Sequence, residues 1–143
     1  MEITNEIKAK VFAQYLGQYF KVGVFSGDLK NINIETDLSN TMLVLKPLSS
    51  ITDEDAIEAT KHFGRAPFIF ERVNDSIEVG FFDRGVISIG FNGKISDAGS
   101  EITRQGIDYF ISYQYLQSKG YDLPQYLLGG KTLKESGLAI YEQ

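Results

Sequence analysis

The chain has 143 residues, of which 43% are hydrophobic and 23% are charged, and its formal net charge is −5. A chain of this size and composition is typical of one globular domain, which removes roughly 70% of its unfolded surface from water. The absence of cysteine excludes a disulfide framework, a thiolate metal site and a cysteine nucleophile, so His62 alone is left for imidazole chemistry. We therefore expect a single domain over residues 1–143.

The first twenty residues, "MEITNEIKAKVFAQYLGQYF", predict a helix. Thr4 can cap it, apolar residues recur at helical spacing as far as about Tyr15, and Gly17 follows as a stop signal. Charges are spread through this stretch and it has no continuous apolar core, so it predicts neither a signal peptide nor a membrane span. A cytoplasmic location is the expectation that follows.

The next segment predicts strands separated by a polar loop. "YFKVGVFS" alternates as a strand does, and "TMLVLKPL" is an apolar run closed by Pro47. Between them, "GDLKNINIETDLSN" is rich in Asn and Asp and predicts a surface loop.

"SSITDEDAIEATKHFG" predicts a second helix, with Thr52 as its cap, Asp55 at the capping-box position and Gly64 as its stop. Asp55, Glu58 and His62 fall at i, i+3 and i+7, so one metal ion could meet all three. A small metal-dependent enzyme is therefore an alternative function. The simpler interpretation is that these charges complement the helix macrodipole, and we predict no metal site here.

From Pro67 to Lys94 the pattern predicts an antiparallel meander, because short alternating runs are separated by "NDS", "DRG" and "NG" turns. One of these runs, "RGVISIGF", begins like an RNA-recognition strand. The positions that would stack on bases hold Val86 and Ser88, so a hairpin turn and a core strand is the preferred interpretation.

The longest helix is predicted over residues 100–118, followed by Gly120. Its expected polar stripe consists of Glu101, Gln105, Asp108 and Ser112. The remaining surface offers two competing apolar faces, one with Tyr109 and Tyr113 and the other with Phe110 and Ile111.

Tyrosine is abundant in the last third of the chain, and two interpretations stay open. Either both apolar faces of the helix are covered and each hydroxyl reaches water, or some of the rings form a partner-facing patch. Tyrosine side chains are enriched where proteins dock. We predict the second arrangement, with these residues in the patch: Tyr109, Tyr113, Tyr121 and Tyr126.

The stretch "YLLGGKTLKESG" resembles the end of a phosphate-binding loop, but that motif needs a glycine at position 125, where this chain has Gln125. The preceding "GYDLPQYLL" is also not a buried strand. We therefore predict a short helix capped by Thr132, with "LAIYE" as an edge strand.

No catalytic arrangement is visible. None of the nineteen acidic residues lies in a motif that indicates a raised pKa, and His62 has no nucleophile-elbow context. Net negative charge and scattered basic residues argue against direct nucleic-acid binding. The sequence predicts an α+β protein without an enzymatic activity, a cofactor or a metal. Its three helices pack on a mainly antiparallel sheet of four to six strands.

Two segments, "LKPLSSITDEDAIEA" (45–59) and "YQYLQSKGYDLPQYLLGGKTLKESGLAIYE" (113–142), resemble small proteins encoded by phages and prophages of Bacteroidota. That group has no assigned activity, so the resemblance assigns no functional residue. It implies an accessory protein that binds a host or phage protein or nucleoprotein. Inhibition of a defence component, for example a CRISPR effector, is one specific form of that role.

Overall fold

The computed structural model describes residues 2–22, 25–28, 40–83, 85–98 and 106–141. These residues form an α+β protein with three α-helices, as predicted. The elements in chain order are α1 (Asn5–Phe12), β1 (Tyr19–Val22), β2 (Phe25–Asp28), β3 (Thr41–Pro47), α2 (Asp53–Thr60), β4 (Phe68–Arg72), β5 (Ser76–Gly80), β6 (Val86–Gly90), β7 (Ile95–Ala98), α3 (Gly106–Ser118), β8 (Tyr121–Asp122) and β9 (Ala139–Tyr141).

The chain divides into two compact units, and the predicted strands lie in two sheets rather than one. The first unit comprises residues 1–46 and 117–143, and the second comprises residues 47–116. The organisation into one domain over residues 1–143 stays a prediction.

A mixed sheet forms the framework of the first unit. Its strands lie in the order β2, β1, β3, β8, and β9 also pairs with β3. β1 is antiparallel to β3, with Phe20 opposite Leu43, whereas β9 is parallel to β3, with Ala139 opposite Leu43. β3 is therefore the central strand, which explains why "TMLVLKPL" is so apolar.

α1 packs its apolar residues into the core of the first unit. The amide of Ile7 donates to the Thr4 hydroxyl at 3.2 Å, which confirms the predicted cap. The helix tightens into a 3₁₀ turn, and the chain reverses at Gly17, whose φ of 94° is in the left-handed region that glycine tolerates. The core cluster contains Ala9, Val11, Phe12, Tyr15, Leu43, Leu45, Leu128, Leu133, Leu138 and Ala139.

The buried Tyr15 hydroxyl bonds to two backbone groups at the start of the C-terminal segment of this unit. The Tyr15 hydroxyl donates to the Tyr121 carbonyl at 3.1 Å and accepts from the Leu123 amide at 3.2 Å. Both tyrosine side chains are fully buried. Burial raises the pKa of the Tyr15 hydroxyl well above its usual range, since the charged form would be desolvated.

The second unit contains an antiparallel sheet in the order β4, β5, β6, β7, with α2 against β4 and β5. This is the predicted meander. The Asp55 amide donates to the Thr52 hydroxyl at 3.1 Å, so the predicted cap of α2 is confirmed. The inward residues of the central strands are all completely buried, and they are Ile77, Val79, Ile87 and Ile89.

The opposite face of this sheet is only half-buried and carries small or polar side chains. Directly paired residues share a face, so Glu78, Ser88 and Ser96 form a row across β5, β6 and β7. We call this surface the outer face.

Several local predictions differ from the structure. "YFKVGVFS" contributes to two paired strands, β1 and β2, and β7 was not predicted. Residues 133–137 form hydrogen-bonded turns rather than a helix, whereas "LAIYE" does contribute a strand, β9. The polar loop was predicted over residues 27–40, but Gly27 and Asp28 belong to β2, and residues 29–39 lie outside the described residues. The predicted helix start at residues 100–105 lies outside them as well.

No helix within the described ranges combines the length and the apolar character that a membrane crossing requires.

Candidate functional site

The four tyrosines predicted to form a partner-facing patch have very different environments. Tyr121 has 0% of its surface exposed, so the prediction of a partner contact there is wrong. Tyr109 and Tyr113, in the second unit, are half-buried. Tyr126, in the first unit, is 95% exposed, and its contact with a partner stays a prediction.

The tyrosine face of α3 points inward. The Tyr109 ring lies 5.5 Å from the Phe63 ring, and the Tyr113 hydroxyl donates to a backbone carbonyl in the β6–β7 turn. Burial raises the pKa of the Tyr113 hydroxyl. Ser112, predicted to lie on a solvent-facing stripe, is buried instead, because its hydroxyl donates to the Ala59 carbonyl at 2.7 Å.

The other apolar face of α3 is left open. Phe110 is 54% exposed and Ile111 is 42% exposed. The tyrosine face is therefore the one that is covered, through the ring contact of Tyr109 with Phe63 and the hydrogen bond of the Tyr113 hydroxyl, which phenylalanine could not form.

The acidic residues of α2 and His62 bind separate partners. Asp55 accepts a hydrogen bond from the Tyr115 hydroxyl at 3.1 Å, and Glu58 forms an ion pair with Lys61 at 2.7 Å. His62 Nε2 donates to a carbonyl in the first turn of α3 at 2.7 Å. In the part of the chain that the structure describes, no three His, Cys, Asp or Glu side chains are placed to hold a metal ion.

The "GGKT" stretch is a turn followed by a capped single turn. Gly129 and Gly130 have left-handed φ angles of 67° and 83°. The Glu135 amide donates to the Thr132 hydroxyl at 3.2 Å, and the Thr132 hydroxyl donates to the Glu135 carboxylate at 2.9 Å. The cap predicted at Thr132 is thus confirmed, and the residues suggestive of a phosphate loop serve local backbone geometry.

The strand that resembles an RNA-recognition strand is β6. Val86 and Ser88 lie on the half-buried outer face, while Ile87 and Ile89 point into the core. No aromatic side chain occupies either stacking position, so the strand lacks what base recognition requires.

Three segments meet at one end of the second unit. The hydrogen bond from His62 Nε2 to the Asp108 carbonyl connects the loop after α2 with the start of α3. The Arg65 amide donates to the Asp83 carboxylate at 2.8 Å, and the Phe82 amide donates to the Arg65 carbonyl at 2.9 Å. These bonds fix the loop at residues 62–66 against the β5–β6 hairpin.

This end exposes large aromatic side chains. Phe82 is 82% exposed at the hairpin, and Phe110 is 54% exposed near the start of α3. Phe68 is 47% exposed, and its ring covers Gly80, the residue directly opposite on β5. Phe68, Phe82 and Phe110 are on segments that meet at this end, with Phe68 on the outer face of the sheet, and we call this end of the second unit the phenylalanine end. Phe70, on the same edge strand, is 58% exposed.

The loop beside the phenylalanine end contains a strained residue. Ala66 has a φ of 49°, and it is the one residue other than glycine with a positive φ among those described. A side chain in the left-handed region costs on the order of 1 kcal/mol. Such strain persists where the surrounding contacts over-determine the backbone, and it concentrates at functional sites.

Two polar side chains at the phenylalanine end are engaged in hydrogen bonds with backbone groups. His62 Nε2 donates a hydrogen bond to the Asp108 carbonyl, and the Asp83 carboxylate accepts one from the Arg65 amide. The large apolar side chains exposed at this end are phenylalanine rings, and the exposed residues Arg65 and Asp83 lie beside them. An exposed group of aromatic side chains on a rigid framework is characteristic of a docking surface.

Comparison of the chain with protein-family models, with curated proteins and with solved structures found no match. The site therefore rests on its own geometry.

Sequence reasoning selected tyrosines and missed the exposed phenylalanines. A signal was present in "FFDRG", where two consecutive rings precede a hairpin turn. Adjacent strand residues point to opposite faces, so only one of the two could enter the core. Phe81 is 4% exposed and Phe82 is 82% exposed, as this rule requires.

The Tyr115 hydroxyl provides a test of the contact between α3 and α2. Burial, followed by the hydrogen bond to Asp55, raises the pKa of Tyr115 to about 12. Because the folded-state pKa lies above the usual value of about 10, the stabilisation is complete below pH 10 and lost as the pH rises towards 12. We expect Tyr115→Phe to lower the free energy of unfolding by about 1 kcal/mol at neutral pH. Urea denaturation across the alkaline range should show the difference from wild type shrinking above pH 10.

The matched control is Tyr126→Phe, since the Tyr126 side chain is 95% exposed and makes no hydrogen bond to a described residue. It should leave the free energy of unfolding unchanged. Equal effects of the two substitutions would contradict the Tyr115–Asp55 hydrogen bond.

Proposed function

We propose that this protein is a non-enzymatic binding protein whose target is a host or phage protein or nucleoprotein, and that the target docks on the phenylalanine end. The observation that carries this proposal is the 82% exposure of Phe82, together with exposed Phe68 and Phe110 at the same end of the second unit.

The physical argument begins with the cost of exposing these rings. Complete burial of an exposed phenylalanine contributes about 1.5 to 3 kcal/mol, so the exposed parts of these three rings represent binding free energy that a partner can recover. The loop that supports them is held by backbone hydrogen bonds from Arg65 and Phe82. Little ordering is therefore required when a partner binds, which favours affinity.

A protein surface is the target class that best suits an apolar end. Nucleic-acid sites are rich in cations that neutralise phosphates, whereas this chain has a net charge of −5. The resemblance to phage and prophage proteins of Bacteroidota suggests a target in the bacterial host. In its most specific form the proposal makes the protein an inhibitor of a defence component such as a CRISPR effector.

The test is capture of the target by the tagged chain from a lysate of a Bacteroidota host, followed by mass spectrometry and by reconstitution with the purified target. We expect a complex that survives high salt, because apolar contacts are not screened. The double substitution Phe82→Ser and Phe110→Ser should weaken the reconstituted complex about tenfold or more.

The comparison variant is Tyr126→Ser, which removes an exposed ring from the first unit and tests the partner contact predicted at Tyr126. It should bind the target as wild type does if the phenylalanine end is the site. Undiminished binding by the double phenylalanine variant would overturn the proposed surface. A complex that dissociates in moderate salt, or that contains only nucleic acid, would overturn the proposed target class.

A further inference from the structure

A polar cleft opens on the second unit, at the end of the outer face where β6 turns into β7. It has a volume of about 600 Å³, which is within the range of small-molecule sites. The polar side chains that line it are Ser49, Asn74, Asp75, Ser88, Asn92, Lys94 and Ser96. Phe91 also lines the cleft and is half-buried.

Most of these polar side chains have no partner among the residues that the structure describes. Asn92 is an exception, since its Oδ1 accepts the Lys94 amide at 3.0 Å and closes the turn. The side chains of the other lining polar residues form no hydrogen bond or ion pair with any described residue. Three hydroxyls, one amide, one carboxylate and one ammonium therefore offer both donors and acceptors to a ligand.

The backbone beside the cleft requires a glycine. A Cβ on Gly90 would lie 2.7 Å from Asn92 Oδ1 and 3.0 Å from the Lys94 carbonyl oxygen. Glycine is therefore required beside this turn, which places Lys94 and Phe91 at the rim. Ser88 and Ser96, directly opposite each other on β6 and β7, form the floor.

The composition of the cleft excludes several ligand classes. A divalent cation would find one carboxylate ligand, that of Asp75. An anion would find one ammonium group, that of Lys94, in a cleft that also contains the Asp75 carboxylate. A wholly apolar ligand would strip water from six polar side chains without replacing their hydrogen bonds. A neutral ligand with many hydroxyls can donate and accept at once, and the C–H face of a sugar ring can pack on an aromatic side chain.

We infer that this cleft is a binding site for a neutral carbohydrate, with Ser88 and Ser96 contacting sugar hydroxyls and Phe91 contacting a ring face. This inference goes beyond the proposed function and does not depend on it, because the cleft and the phenylalanine end share no residue.

The experiment is an NMR titration of the full ¹⁵N-labelled chain with maltose, cellobiose and N,N′-diacetylchitobiose, with inorganic phosphate as the anionic comparison. We expect at least one disaccharide to cause saturable shifts at the amides of Ser88, Gly90 and Ser96, and phosphate to cause none there. Replacing Ser88 and Ser96 together by Ala should weaken that binding about tenfold, since two hydrogen bonds are lost.

Two further variants keep the test decisive. Asn74→Ala lies in an exposed turn, so it leaves the sheet intact, and it should also weaken sugar binding. Ser76→Ala removes a hydroxyl from the same face, opposite Gly90 but outside the cleft, and should bind as wild type does. The inference is overturned if none of the three sugars gives saturable shifts, if phosphate occupies these amides instead, or if the Ser88/Ser96 and Asn74 variants bind as tightly as Ser76→Ala.

Discussion

Asp122→Ala should lower the free energy of unfolding by about 3 to 5 kcal/mol, because it removes a buried acceptor from three donors at once. The Asp122 carboxylate is 2% exposed. It accepts from the Leu133 amide at 2.8 Å, the Lys134 amide at 3.0 Å and the Tyr141 hydroxyl at 2.9 Å. These bonds tie β8, the capped turn and β9 together, so their loss affects most of the C-terminal segment.

Urea denaturation followed by circular dichroism measures this effect. Asp122→Asn keeps the size of the side chain and one carbonyl acceptor, so it should cost less than Asp122→Ala. Asp75→Ala, at an exposed turn position, is the control and should be close to neutral. A stability change for Asp122→Ala no larger than that of the control would contradict the role of the carboxylate as a shared acceptor.

The stability of the protein should also depend on the ionisation of Asp122. Burial raises the pKa of this carboxyl, and the amide hydrogen bonds from Lys134 and Leu133 oppose the shift. Because the pKa of Asp122 is higher in the folded than in the unfolded state, the protonated carboxyl stabilises the fold. This stabilisation is complete below the unfolded-state pKa and is lost as the pH rises through the folded-state pKa. The advantage of wild type over Asp122→Asn should therefore decrease as the pH rises from about 4.

The second large effect is expected at Gly64, where an alanine Cβ would lie 2.9 Å from Cγ of the Phe81 ring. Phe81 is 4% exposed and packs in the core of the second unit, so the ring cannot move aside. We expect Gly64→Ala to cost about 1 to 3 kcal/mol, the usual range for overpacking. The backbone at Gly64 is extended, so the cost comes from the ring and not from the conformation.

Gly80→Ala is the matched variant, because its Cβ would come within 2.6 Å of the Phe68 ring. Phe68 is 47% exposed, so this ring can swing into solvent and the cost should stay below about 1 kcal/mol. Thermal and urea denaturation of the two variants make the comparison. Equal destabilisation would show that Phe68 is held as firmly as Phe81, which would contradict its description as a ring available to a partner.

Hydroxyl caps were the features that sequence reasoning located best, at the starts of α1 and α2 and of the turn at residues 133–137. The caps at Thr4, Thr52 and Thr132 were each predicted, and each hydroxyl accepts an amide three residues later. A cap depends on atoms within one turn of the chain, so the local sequence is sufficient. The same holds for the meander, whose turns lie between strands that are adjacent in sequence.

Burial was predicted much less well. Tyr121 and Ser112 were assigned to the surface, yet both have 0% exposure. Each is buried among groups far away in sequence: the Tyr121 carbonyl accepts the Tyr15 hydroxyl, and the Ser112 hydroxyl donates to the Ala59 carbonyl. A polar group can enter the core wherever such a partner exists, and no local pattern reveals the partner.

The sequence by itself determined the α+β class, the helix caps and the order of strands from β4 to β6, because these follow from local spacing and turn chemistry. Only the tertiary structure decided that the tyrosine face of α3 turns inward, leaving Phe110 exposed, and that Phe82 projects from its hairpin. The physical reason is that two similar apolar faces have nearly equal transfer free energies. The choice between them rests on long-range hydrogen-bond partners that exist only once the chain has folded.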